Sequence, residues 1–138
     1  MFDKKVDIIM PNYNKSEFLN EAINSVLSQS YKNWTLYIID DNSTDISSKI
    51  LQKYRKNKRI KTFFLEKNRG PSFCRNLGLK KSNSKFIAFL DSDDYWKKNK
   101  LKNQIDFMLK KKYPFTFTDY IPILQRKKSK KNLKKTNI

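Results

Sequence analysis

Four short apolar or β-branched runs, at residues 6–10, 34–40, 60–65 and 86–90, alternate with stretches whose apolar residues recur at helical spacing. A strand, a helix and a second strand make the βαβ unit, in which the helix carries the chain back so that the two strands run parallel. That pattern fixes the fold class as α/β, Rossmann-like, with a mainly parallel sheet flanked by helices.

The helices can be placed from their apolar faces. Asn14 followed by Glu17 has the form of a capping box, and Leu19, Ala22, Ile23, Val26 and Leu27 then share one face. After the second strand, the polar cluster Asp41-Asn-Ser-Thr-Asp45 leads into a helix expected to turn Ile46, Ile50, Leu51 and Tyr54 inward. The breaker Asn68-Arg-Gly-Pro71 precedes a short helix carrying Phe73 and Leu77. Leu101, Ile105, Met108 and Leu109 mark a fourth helix, and residues 113–120 offer one more strand. Residues 126–135 are almost wholly basic and have no apolar period. The expected organisation is one domain, residues 1–125, followed by a disordered basic tail, residues 126–138.

A formal charge of +18, from 31 Lys and Arg against 13 Asp and Glu, raises nucleic acid or an anionic membrane as a partner. The excess is mostly Lys, spread over three helix-like surfaces and the tail and not gathered with aromatics, so it reads as solvated surface. Nucleic acid is therefore not the partner expected, while peripheral contact with an anionic membrane stays open. The single cysteine, Cys74, cannot form an intramolecular disulfide, which suits a reducing compartment. It lies beside Phe73 and Leu77 as a core residue, and a chain with no His offers no imidazole to activate it. The first residues have neither the length nor the cleavage site of a signal peptide, and no apolar run approaches the ~20 residues needed to span a bilayer. The expected location is the cytoplasm, with the inner face of the membrane as the one refinement.

Three polar clusters, residues 11–14, 40–45 and 91–94, fall just past the carboxyl ends of expected strands. In a parallel sheet those ends share one edge, where open α/β sheets bind their ligands. Asp91 and Asp93, one residue apart after a buried strand, are costly to place together unless a cation neutralises them. An oxygen-only pair suits Mg²⁺ or Mn²⁺, which keep several waters and bridge to substrate phosphates. Each cluster also has a plainer reading: Asp91–Asp94 as an acidic helix cap, Asp40 and Asp41 as a turn with an N-cap, Pro11 and Asn14 as turn residues. Convergence on one edge raises the ligand-binding reading for all of them together.

The strings Ile9-Met-Pro-Asn-Tyr-Asn14, Ser25-Val-Leu-Ser-Gln-Ser-Tyr31, Ile39-Asp-Asp-Asn-Ser-Thr-Asp45, Gly70-Pro-Ser-Phe-Cys-Arg-Asn-Leu-Gly78 and Phe89-Leu-Asp-Ser-Asp-Asp-Tyr-Trp96 closely resemble, in this order, those of family 2 glycosyltransferases. The resemblance covers roughly residues 6–120. It implies a GT-A fold, a nucleotide-diphosphate sugar as donor, most often a UDP-sugar, and transfer usually with inversion. The acceptor implied is a glycan, lipid-linked or protein group, as in cell-envelope polysaccharide biosynthesis. By the same resemblance Pro11, Tyr13 and Asn14 look like the loop under the base and ribose, and Asp41 like the carboxylate that holds the base. Asp91 looks like a ribose or sugar contact and Asp93 like the metal-coordinating residue of the D-x-D motif. Arg75 and Asn76 resemble positions beside the diphosphate or sugar, with Arg75 alternatively pairing one of the aspartates.

In that family the acceptor half and the general base lie C-terminal to the D-x-D motif. Here only Asp106 and Asp119 follow Asp94 as acidic residues. The chain is therefore expected to be a C-terminally truncated donor half, with no catalytic base identified and Asp119 the remaining candidate. The competing reading is a catalytically incomplete donor-site fragment that acts as a binding protein or as a polyanion or membrane-surface binder. Haloacid-dehalogenase-like phosphatases also carry D-x-D, but after their first strand, whereas here it follows the fourth.

Overall fold

The structure, a computed structural model, describes residues 4–123. Its sheet has four parallel strands, β1 (Val6–Asn12), β2 (Trp34–Asp40), β3 (Ile60–Phe64) and β4 (Phe86–Phe89), in the order β3-β2-β1-β4. Val6 lies opposite both Trp34 and Phe86, and Leu36 lies opposite Ile60. The chain steps outward from β1 to β3 and then returns to the other side of β1. The crevice outside the carboxyl ends of β1 and β4 is thus the topological switch point.

Every residue of β1 and β2 is buried, which is why both read as near-continuous apolar runs and not as alternating ones. On one face Ile8, Met10, Leu36 and Ile38 pack against α1 (Ser16–Leu27), α2 (Ser47–Gln52) and α4 (Lys100–Lys111), through residues such as Leu19, Ile23, Leu51, Leu101 and Ile105. On the other face Ile9, Tyr37 and Ile39 meet Cys74 of α3 (Pro71–Lys81). A Cβ at Gly78 would lie 2.5 Å from Ile9 Cγ2 and 3.2 Å from Ile39 Cδ1, so a glycine here lets α3 seat directly on the sheet. The fully buried Gln29 ties α4 to α1: its Nε2 donates to the carbonyls of Ser25 (3.0 Å) and Lys97 (2.9 Å), and its Oε1 accepts from the Leu101 amide (3.1 Å).

At the opposite edge of the sheet from the crevice, buried Asp7 accepts from Ser82 Oγ (2.7 Å) and from the amides of Asn83 and Ser84. Burial alone would raise its pKa, but these hydrogen bonds and Lys5 outweigh it and hold the carboxyl below its ordinary value.

Four sequence expectations need correction. Asn14 does not cap α1; it adopts a left-handed φ of 51° and its side chain faces the β2–α2 loop, while the Ser16 amide donates to Asp45 Oδ2 (2.9 Å). Ile46 precedes the first turn of α2 and is 58% exposed, because the helix begins only at Ser47. Leu109 is exposed, since Leu101 and Ile105 alone carry the buried stripe of α4. Residues 113–120 form no strand; Phe117 and Tyr120 are 84% and 86% exposed, and without a neighbouring strand a period-2 pattern has nothing to pair with. The basic segment 126–138 lies outside the described residues.

Candidate functional site

The three polar clusters do converge. They line a crevice of about 410 Å³ at the switch point, within the range of small-ligand sites. The end of β1 contributes Pro11, Asn12, Tyr13 and Lys15; β2 contributes Asp41. Asn68, Gly70, Cys74 and Arg75 come from α3 and the loop before it, and Asp91, Ser92 and Asp93 follow β4.

Asp41 is almost fully buried, and each of its carboxylate oxygens takes a backbone amide, Arg69 N at 2.7 Å and Gly70 N at 2.8 Å. Gly70 has φ +87°, a conformation that favours glycine and that aims this amide at Asp41. The Asp41 amide donates to the Asn12 carbonyl (2.8 Å), and Asn68 Nδ2 reaches the Asp41 carbonyl (3.3 Å). Behind it, buried Asp40 accepts from Asn12 Nδ2 (2.7 Å), Ser43 N (3.0 Å) and Ser43 Oγ (2.7 Å). Neither aspartate caps α2, whose first amide, Ser47 N, donates instead to Asp45 Oδ1 (2.8 Å). The N-cap alternative for Asp40 and Asp41 is thereby removed.

Asn14 lies outside the crevice lining. Its Oδ1 accepts from the amides of Thr44 (2.7 Å) and Asp45 (3.2 Å), so it joins the β1–α1 loop to the β2–α2 loop. Asn76 is exposed on α3 and is likewise outside the lining. Asp119 is exposed in the segment after α4 and does not reach the crevice lining.

The carboxylates after β4 form a turn, with the Asp94 amide donating to the Asp91 carbonyl (3.0 Å). The residue at the N-cap position of α4 is Asn99, so this turn is not a helix cap. Two side-chain cations neutralise the pair: Arg75 Nη2 lies 2.7 Å from Asp91 Oδ1, and Lys15 Nζ lies 2.7 Å from Asp93 Oδ2. Burial and then the charges of Asp93 and Asp91 push the Asp94 carboxyl above its ordinary value, a sign that negative potential accumulates there.

Among the described residues no three His, Cys, Asp or Glu side chains come together as a ready metal cage. Two hard, partly exposed carboxylates at the mouth of a crevice nevertheless fit a divalent cation of the Mg²⁺ or Mn²⁺ kind, which takes one or two carboxylates and completes its shell with water and phosphate oxygens. Cys74 is fully buried, and burial, followed by the charge of Asp41, pushes its thiol up to about 11, as suits a core residue. Among the described residues no helix is long and apolar enough to cross a membrane.

Sequence reasoning missed Lys15, Asn12, Asn68 and the Arg69 and Gly70 amides. Asn12 had one usable signal, a polar residue directly following an apolar strand; Lys15 had only its place beside Asn14.

Comparison with known proteins bears on the family and the fold. The family model described as glycosyl transferase family 2 matches residues 7–135. A Bacillus subtilis protein provisionally named as the teichuronic acid biosynthesis glycosyltransferase TuaG is 43% identical over 83% of this chain and 46% of its own length. The Escherichia coli UDP-Glc:alpha-D-GlcNAc-diphosphoundecaprenol beta-1,3-glucosyltransferase WfgD is 44% identical over 87% of this chain and 47% of its own length. The crystal structure of Staphylococcus aureus TarS in complex with UDP superposes with a TM-score of 0.72 at 36% identity, covering 77% of this chain and 32% of that one. The chain thus spans less than half the length of these relatives.

Proposed function

The chain belongs to glycosyl transferase family 2, and on that premise we propose that its crevice binds a nucleoside-diphosphate sugar, with uridine favoured, together with Mg²⁺ or Mn²⁺. The observation that carries this reading is the convergence of a rigidly held carboxylate, Asp41, with the Asp91 and Asp93 pair and Arg75 around one crevice. The reading draws support from the UDP held by TarS and the UDP-Glc donor in the name of WfgD.

In this proposal Asp41, fixed by two amides, keeps lone pairs for a base N–H, and the base and ribose lie along Pro11 and Tyr13. Asn14 acts one step back, by bracing that loop against residues 44 and 45. Asp91 receives a ribose or sugar hydroxyl, and Arg75, with Asn76 next to it on α3, faces the diphosphate or sugar. Asp93 is the residue that holds the metal; bound there, a divalent ion supplies Lewis-acid stabilisation of the charge that develops on the departing diphosphate. Arg75 adds a positive charge on the same side, and no covalent nucleophile on the protein is required. Transfer proceeds with inversion to a lipid-linked, glycan or protein acceptor of the cell envelope. The domain comprises residues 1–125, and the basic run 126–135 draws it to the anionic inner face of the membrane.

A second reading, donor binding without transfer by these residues, is favoured by one observation. Among the described residues no carboxylate beyond Asp94 lines the crevice: Asp119 is exposed outside it, and Asp106 pairs with Lys102 on the surface of α4.

Thermal unfolding against UDP, GDP and dTDP, each with and without Mn²⁺, tests the donor site. Ligand at about 100 times its dissociation constant stabilises by about 2.7 kcal/mol. A shift that requires nucleotide and grows with Mn²⁺, with the Mn²⁺ increment missing in Asp93→Asn, is expected. A well-folded protein that no nucleotide stabilises would refute the proposal. Release of sugar to water or to an acceptor then separates transfer from binding.

A further inference from the structure

Lys15 is the residue the crevice leaves unexplained. Its backbone is fixed at the start of α1, where its carbonyl accepts from the amides of Phe18 and Leu19 (both 3.0 Å). Its side chain crosses the switch point from the β1 side to the β4 side and ends 2.7 Å from Asp93 Oδ2. Both partners are half exposed, 43% for Lys15 and 39% for Asp93, so the pair is screened and exchangeable. Arg75 holds Asp91 from the other wall at the same distance.

We propose that Lys15 is an exchangeable counter-ion of the donor site: without ligand it occupies the carboxylate that holds the metal, and with ligand it releases Asp93 and turns to the diphosphate. The inference rests on the donor-site reading above. A flexible ammonium on a four-carbon stem suits this exchange better than a guanidinium fork, because it binds as a point charge from any direction. Its consequence is coupling. Lys15 opposes a divalent cation arriving alone, since the two compete for Asp93, and favours the nucleotide, whose phosphates draw it away. Each ligand therefore strengthens the other by the same factor.

The test measures Mn²⁺ affinity, by the electron paramagnetic resonance of free Mn²⁺, and UDP affinity by calorimetry, for wild type, Lys15→Met and Lys15→Arg. With Lys15→Met, Mn²⁺ without nucleotide should bind roughly fivefold tighter, UDP without metal roughly fivefold weaker, and the mutual strengthening should shrink. Lys15→Arg should retain most of the wild-type coupling, and an unchanged melting temperature in both variants shows that the fold is intact. Unchanged or weaker Mn²⁺ binding in Lys15→Met overturns the proposal even if UDP binding falls, because Lys15 would then be a phosphate ligand only. If wild-type protein binds neither UDP nor Mn²⁺, the donor-site reading itself fails; if it binds both and only the Lys15→Met shift is missing, that reading stands and this one falls.

Discussion

On the β2 side of the crevice Asp40 and Asp41, and on the β4 side Asp91 and Asp93, are held under opposite conditions. Asp40 and Asp41 are buried, and they are held by backbone amides, a hydroxyl and a side-chain amide at fixed positions. Asp91 and Asp93 are 48% and 39% exposed, and the ion pairs that hold them end in long, flexible cations. Hydrogen bonds to a buried charge contribute about 1.5–3 kcal/mol, whereas exposed ion pairs contribute about 0–1. One side is therefore built into the fold and keeps its shape without a ligand. The other can trade its cations, as a site must if it is to take up a metal and a diphosphate.

The largest effect expected from this contrast is at Asp40. Asp40→Ala leaves Asn12 Nδ2, Ser43 N and Ser43 Oγ without their acceptor and should cost about 3 kcal/mol in urea unfolding. A loss below about 1 kcal/mol would break the comparison. A smaller effect sharpens it from the rim of the built side. Burial raises the Asp45 pKa, but hydrogen bonds from Ser47 and Ser16 outweigh that and bring it down to about 2. A depressed carboxyl stabilises the fold above its unfolded value near 3.8, and that contribution is lost as pH falls through about 2. Between pH 5 and 2, wild type should therefore lose its stability advantage over Asp45→Asn, by on the order of 1 kcal/mol after allowance for solvent screening. The smallest stability effect is expected at Asp91. Asp91→Asn should change the unfolding free energy by no more than about 0.5 kcal/mol while weakening UDP binding in titration calorimetry. A cost equal to that of Asp40→Ala would show that the two sides are not held differently.

The sheet was legible because β1 and β2 are buried on both faces and so appear as unbroken apolar runs. The parallel direction followed from the helical stretches between them, and the edge on which the site lies followed from that direction. What escaped depended on partners distant in sequence. Asn14 fits a capping box locally, but residues 43–45 hold its loop and set its backbone in the left-handed region. The alternating Phe115, Thr116, Phe117 and Thr118 look like a strand, yet strand formation depends on a neighbour that no local pattern encodes. At the site, Asp41, Asp91 and Asp93 stood out as carboxylates at strand ends, and Arg75 through the family resemblance of its motif. Lys15 could not stand out in a chain with 31 Lys and Arg, because what distinguishes it is the crevice it crosses. The Arg69 and Gly70 amides carry no side-chain signature at all.

The burial of Cys74 has a practical consequence. With its thiol pushed up to about 11, only on the order of one molecule in ten thousand carries the reactive thiolate at neutral pH, and no solvent reaches the sulfur. The native thiol is therefore expected to react slowly with maleimides and iodoacetamides. A cysteine substituted for exposed Ser72, at the start of the same helix, would become its sole labelling point without Cys74 having to be replaced. A fluorophore or spin label there would report on the crevice as ligands enter it.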